Sequence, residues 1–548
     1  MRILLLVIVV SLFVTHTRAQ VSTRPRLVVG IVVDQMRYEY LQRYAAKFGE
    51  GGFKRLAEGG FLLRNAHYHY MPTLTGPGHA SIYTGSTPAI HGIIGNDYYD
   101  KQSDKLVNCV EDSRFAPVGN EAAKGNISPW RMLSTTITDE LKISTQSRSK
   151  IIGISIKDRS AVLPAGHMGD AAYWYDRSSG RFITSTYYRS ALPEWLLKFN
   201  ALNLAEIYLS QEWKTLLPLD QYTESGPDES PYERKFTGKD KTTFPYKLAD
   251  LRKQNGDFEL LPSTPFANDL LTELTKATVA GEKLGKDEVT DFLCVSYSAT
   301  DVIGHQFGPQ SVEVEDAYLR LDRNLSDLFK TLDKEVGPGN YTVFLTADHA
   351  VAEVPQFLRD NKISAGYFNE SRLKASLDEF LANYFSGKSM IARIINEQIY
   401  LDHDAFQKDP RASGIDLLIA TELIGKFLLT QEGVANYYPA AMIRQGSYEE
   451  KGPRGMVIRG YNPKRSGDIM IVMEPGWVDS GTVPGTTHGS LYSYDTHVPI
   501  LFYGKGITKG TSVQYHTIAD IAPTLSLLLG TKFPNGCTGQ PIQEILDK

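Results

Sequence analysis

Short apolar runs recur along the chain: Leu27 to Val33, Ile151 to Ile156, Phe292 to Ser296, Thr342 to Thr346, Ile469 to Met473 and Val498 to Phe502. Runs that stay apolar without alternation predict strands buried on both faces, as in a largely parallel sheet covered by helices. Between them lie helical periodicities. Val312 to Leu332 repeats apolar residues at Val314, Ala317, Leu321, Leu325, Leu328 and Phe329, and a second pattern covers Ile518 to Leu529. This alternation predicts an α/β fold in which a core sheet is sandwiched by helices. Two stretches depart from it, about 160–282 and 351–465. Both are rich in Tyr, Lys and short amphipathic patterns such as Leu373 to Tyr384. They are expected to be cap insertions around one core domain spanning 20–548.

The first residues are of another kind. Met1-Arg2, an apolar run from Ile3 to Val14 and the small-residue site Thr17-Arg18-Ala19 predict a signal peptide over 1–19. The run is shorter than the roughly twenty residues needed to cross a bilayer. No cysteine follows it to carry a lipid, so the expectation is an exported, periplasmic protein without a stable membrane anchor. The chain as a whole, 42% hydrophobic and 22% charged, is rich enough in apolar residues for a large core. A net charge of -5 and a pI near 6.2 argue against nucleic-acid binding, so an acidic substrate needs a local positive site. Three cysteines allow at most one internal disulfide. Cys294 lies in an apolar run and reads as a small buried residue, and spacing leaves open whether Cys109 and Cys537 pair. Oligomeric state is not legible.

The residues that follow the strands carry the chemistry. Val33 is followed by Asp34, Ile156 by Lys157-Asp158-Arg159, Ser296 by Asp301 and His305, and Thr346 by Asp348-His349. In α/β sheets ligands bind beyond the carboxyl ends of the strands, so these groups are expected on one rim. Asp301 and His305 are four apart, a spacing that lets both reach one ion from a single helical turn. Asp34, Asp301, Asp348, His305, His349 and His488 form a mixed oxygen and imidazole set that suits zinc, and six such ligands suit two ions. Manganese or magnesium at one position is also compatible with three aspartates.

In order along the chain stand "VVDQMR", "PTLTGPGHASIYTG", "GIIGNDYYD", "SIKDRS", "SATDVIGHQFGP", "TADHA" and "GTTHGS". On these motifs the sequence resembles the alkaline phosphatase superfamily, and within it the PafA-type bacterial phosphate-monoester hydrolases with a threonine nucleophile. The resemblance runs from Val28 to Ile542 apart from the two caps. It implies an alkaline-phosphatase-like core and a phosphoric monoester hydrolase that works through a covalent phosphothreonine. It selects Thr75 over Thr73 as nucleophile, at the start of a helix whose backbone N–H groups favour a phosphate. It also implies two zinc ions, one held by Asp34, Asp348, His349 and the Thr75 oxygen, the other by Asp301, His305 and His488. Asn96, Lys157 and Arg159 are implied to bind the non-bridging phosphate oxygens.

One departure is Ala350, where many superfamily members have glycine. His67 and His69 alternate in a strand pattern and either hold a third ion or are structural; His79, His91, His167 and His497 are expected to be supporting groups. The nearest alternative activity is a nucleotide pyrophosphatase or phosphodiesterase of the same superfamily, from which Lys157 and Arg159 discriminate. A sulfatase needs a cysteine or serine where Thr75 stands. The non-enzymatic alternative is a catalytically silent phosphate- or metal-binding exported protein, disfavoured by the complete ligand set.

Overall fold

The structure, a computed structural model, describes residues 24–386, 389–412, 417–481 and 483–546. The expected signal peptide at 1–19 lies outside the described residues. Five parallel strands form the centre of the main sheet, in the spatial order Tyr341–Thr346, Leu27–Val33, Asp291–Tyr297, Ile151–Ser155 and Ala171–Asp176. Every residue of these strands is buried, which accounts for the unbroken apolar runs. Antiparallel strands extend both sides: His497–Gly504 and Phe61–His67 on one, Arg181–Ser185 on the other. Flanking helices include the packed pairs Phe266–Gly281 with Val312–Glu335 and Thr75–Thr84 with Asp158–Ala165.

The insertions differ from expectation in two respects. Ala171–Asp176, Arg181–Ser185 and helix Phe266–Gly281 lie within the first expected cap, yet the two strands belong to the main sheet and the helix packs into the main core. In this part only the stretch between helix Glu194–Ala201 and Phe266 is largely loops and short helices. Conversely, Ile469–Met473, read as a strand of the core, pairs with Gln398–Leu401 and Val434–Pro439 in a separate antiparallel sheet. That sheet has its own core with helices Glu370–Leu381 and Leu417–Leu428. Ile469, Ile471 and Met473 face this core, while Met470 and Val472 face a second apolar cluster that includes Met71. The strand is buried on both faces, so its composition matches that of a parallel core strand. No helix among the described residues is long and apolar enough to cross a membrane.

Candidate active site

The strand register assembles the site. Val32 lies level with Ser296 on one neighbour and Thr346 on the other, and Ser296 lies level with Ser155. Asp34, Asp348 and Lys157 each follow that row by two residues, so they leave the sheet at one height. Asp301 and His305 come from the helix Ala299–Phe307, which opens immediately past its strand. His488 arrives from the other side on a loop closed by Asp495, whose Oδ2 accepts the N–H groups of Gly489 and Ser490 at 3.2 and 2.9 Å.

Five of the six expected ligands, all but the partly exposed His305, meet in two buried groups. Ligand atoms of Asp34, Asp348 and His349 lie within 4.8 Å of one another, and so do those of Asp301, His349 and His488. His349 thus stands in both groups, between the two expected ion positions, with its ring stacked on His488 at 3.4 Å between centroids. His305 is outside these two groups but keeps Nε2 3.1 Å from Asp301 Oδ1.

The donor chemistry fits cations. His305 donates Nδ1–H to Thr486 O at 2.8 Å, His349 to Ala350 O at 3.0 Å and His488 to Thr73 O at 2.7 Å. A carbonyl only accepts, so in the neutral imidazole each Nε2 presents a lone pair to the site, the usual arrangement of a metal-binding histidine. Asp34 Oδ2 faces the Lys157 ammonium at 2.8 Å, whereas the buried Asp34 Oδ1 and Asp348 Oδ2 have no nearer polar partner among the described residues than His349 Nε2 at 3.4 Å and His79 Nδ1 at 3.3 Å. Leaving buried carboxylates so poorly satisfied is costly unless a positive charge faces them.

Electrostatics agree. Burial, then Asp301 and Asp348, push Asp34 up to about 7. Burial also opposes ionisation of Asp301, but His305 and Lys157 hold it well below the usual range. Burial and the neighbouring His349 and His305 keep His488 well below its ordinary value, so it is neutral and able to ligate.

Thr75 opens the helix Thr75–Thr84, with Oγ1 3.4 Å from His349 Nε2. The helix start offers fewer free N–H groups than expected. Gly76 N donates to Asn96 Oδ1 at 2.7 Å, Pro77 has no N–H, and Gly78 N already bonds Leu74 O at 2.8 Å. The Gly76 contact fixes the Asn96 side chain by its oxygen and leaves its NH2 group out of that bond. Lys157 reaches the centre of the site: Nζ lies 2.8 Å from Asp34 and 2.6 Å from Asp301. Burial alone would lower Lys157, but Asp301 and Asp34 raise it, so it stays charged. Arg159, also kept charged against burial by Asp158, has a buried Nε without a partner.

Residues 28–491 match the type I phosphodiesterase / nucleotide pyrophosphatase family. The chain belongs to this family, within the alkaline phosphatase superfamily. It is 44% identical over 550 residues to alkaline phosphatase PafA of Elizabethkingia meningoseptica, covering 100% of this chain and 99% of that protein. It is also 44% identical over 527 residues to alkaline phosphatase PhoV of Synechococcus elongatus, covering 96% and 94%. The crystal structure of wild-type PafA superposes with a TM-score of 0.91 at 44% identity, covering 96% of this chain and 99% of that one.

In this member of the superfamily, sequence reasoning missed Gln35. Its backbone is left-handed at φ 69°, and it bonds two of the expected ligands at once: N to Asp348 Oδ1 at 3.3 Å and Nε2 to Asp301 Oδ1 at 2.8 Å. Its one signal was its place directly after Asp34. His79 is a supporting group as expected, with Nδ1 2.9 Å from Thr75 O and 3.3 Å from Asp348 Oδ2. His67 stacks on His497 at 4.5 Å and bonds Thr496, so it has a structural role. All three cysteines are free thiols. Cys109 lies beside Gly76 and Cys537 beside Gly85, at opposite ends of one helix, about 13 Å apart along its axis and too far to bridge.

Proposed function

We propose that the protein is an exported alkaline phosphatase that hydrolyses phosphate monoesters, with Thr75 as nucleophile, a phosphothreonine intermediate and two zinc ions. The observation that carries this reading is the position of the Thr75 hydroxyl, at the mouth of a helix and against the histidine shared by two buried donor groups. Asp34, Asp348 and His349 would hold one ion together with the Thr75 oxygen, and Asp301, His305 and His488 the other. When bound, the ions supply positive charge that favours ionisation of the nucleophile and of the leaving oxygen. Thr75 attacks phosphorus in line with the departing alkoxide. Asn96, Lys157 and Arg159 bind the non-bridging oxygens, where charge accumulates. Gln35 and His79 orient Asp301 and Asp348. The apolar run Ile3 to Val14 supports export to the periplasm.

The family's description names diesterases, so hydrolysis of nucleotide diesters is the second reading. Charge favours monoesters. A monoester dianion carries three free non-bridging oxygens, whereas a diester places an organic group where one of them would be, and Lys157 and Arg159 add two cations there. Charge-assisted hydrogen bonds contribute roughly 1.5–3 kcal/mol each, so the pair should shift preference by about two to four orders of magnitude. The test compares kcat/KM for an aryl phosphate and its matching diester in wild type and in Lys157→Ala/Arg159→Ala. Zinc content is measured alongside, because Lys157 also touches two ligands. A large loss on the monoester with little change on the diester is expected at unchanged zinc content. Equal losses on both substrates, or a wild type that prefers the diester, would refute the monoester assignment.

A further inference from the structure

The separate antiparallel sheet touches the active site through a turn. Its strands Ile391–Ile395 and Gln398–Leu401 are joined by the two residues Asn396-Glu397, whose backbone is left-handed at both positions, φ 51° and 55°. A tight hairpin turn that follows the twist of its strands needs this conformation, and asparagine is one of the few side chains that tolerate it. From that turn Asn396 reaches across to the main body, where Nδ2 donates to Asp97 O at 2.8 Å. A Cβ on Gly95 would lie 2.5 Å from the same nitrogen, so the glycine makes room for the amide. Asn396 therefore packs against the residue before Asn96 and bonds the residue after it.

Asn96 is held from two further directions. Its Oδ1 accepts from Gly76 N at 2.7 Å, next to Thr75, and its carbonyl accepts from Cys109 N at 2.8 Å. Asp97 opens the small hairpin of Asp97–Asp100 with Lys105–Asn108, and its Oδ1 accepts from Asn108 Nδ2 at 3.1 Å. The turn that carries Asn396 is itself anchored. Glu397 N donates to Glu370 Oε1 at 3.3 Å, and Glu397 O accepts from Ile471 N at 2.7 Å. The buried Glu397 side chain lies against the His488 loop, where a Cβ on Gly489 would be 3.5 Å from its Oε1. One turn of the insertion thus stands between the segment that carries Asn96 and the loop that carries His488.

We propose that Asn396 is a positioning residue for phosphoryl transfer: by bonding Asp97 and packing on Gly95 it fixes the direction in which the Asn96 NH2 group meets a non-bridging phosphate oxygen. This rests on the monoesterase reading above, which gives Asn96 that oxygen. A donor aimed at developing charge works through its preorganisation, and a small misplacement of it is expensive in rate. Gly76 holds the Asn96 oxygen and Cys109 its carbonyl; the Asn396 amide adds the restraint on the backbone that follows, supplied by a part of the chain 300 residues away in sequence.

The test separates the amide from the turn. Asn396→Gly removes the amide and keeps the left-handed backbone, which glycine adopts without strain. Asn396→Asp keeps the shape but sets an acceptor oxygen against the Asp97 carbonyl. kcat/KM for an aryl phosphate is measured in both, in Asn96→Ala and in Asn96→Ala/Asn396→Gly, with zinc content beside it. Each Asn396 variant is expected to lose about three- to tenfold at wild-type zinc content, the rate equivalent of one neutral hydrogen bond. In the Asn96→Ala background, Asn396→Gly should change the rate by less than about twofold, because the group it positions is gone. A merely structural role would carry the same loss into both backgrounds, and that result overturns the proposal. So does a wild-type kcat/KM in Asn396→Gly, or zinc lost from it. A wild-type rate in Asn96→Ala instead refutes the oxygen-binding role of Asn96, and with it the premise, so the two failures are told apart.

Discussion

Thr73 and Thr75 stand two apart in the same turn, and the structure gives them different work. Thr73 Oγ1 donates to Ser490 O at 2.8 Å, and its carbonyl accepts from His488, so it holds the His488 loop. Thr75 Oγ1 faces His349 instead. Thr75→Ala should abolish nearly all turnover, and Thr75→Ser should keep a substantial part because the hydroxyl survives. Thr73→Ala should cost about 1 kcal/mol of stability and much less activity. Steady-state kinetics beside urea unfolding separates the two, and the reverse order of kinetic effects would move the nucleophile to Thr73. Asp34, Asp301, His305, Asp348 and His349 were legible as candidate ligands at this scale because each stands just after a recognisable strand, whereas His488 arrives on a loop and was found only through its motif. Gln35 was not, since a lone glutamine carries no spacing signal and its left-handed backbone exists only in the fold. The drain on helix N–H groups by Asn96 and Pro77 was equally hidden, because it depends on a contact between residues twenty apart.

At the scale of elements, the helix Thr75–Thr84 must press its backbone against the strand end that carries Asp348. A Cβ on Gly78 would lie 2.2 Å from Asp348 O, a backbone atom with little freedom to move. Gly78→Ala is therefore expected to destabilise the protein by about 1–3 kcal/mol and to lower bound zinc, as read by urea unfolding and elemental analysis. Wild-type stability and metal content in this variant would mean that the helix is not held against the ligand. The strands Leu27–Val33, Asp291–Tyr297 and Tyr341–Thr346 were readable because burial on both faces leaves an unbroken apolar run. Ile469–Met473 was misassigned for the same physical reason: it too is buried on both faces, and a run of apolar residues does not state which sheet it joins. Ala171–Asp176 was missed because its apolar content is aromatic, in a stretch already set apart by its tyrosines.

For the whole molecule, the site concentrates three aspartates, three histidines and Lys157 within a protein of net charge -5. Ions that bind the folded chain and not the unfolded one add stability by mass action. Exhaustive chelation should lower the melting temperature and remove activity together, and zinc should restore both; activity that survives complete metal removal would contradict the two-metal account. His488→Ala should lose one equivalent of zinc and most turnover while keeping the fold. The central claim, a phosphoryl group carried by Thr75, is tested most directly by acid-quenching the enzyme during turnover of an aryl phosphate and mapping phosphopeptides by mass spectrometry. The account predicts one phosphorylated site, on Thr75, absent from Thr75→Ala. Phosphate on Thr73 or another residue, or turnover that inverts configuration at phosphorus with no phosphoenzyme, would contradict it.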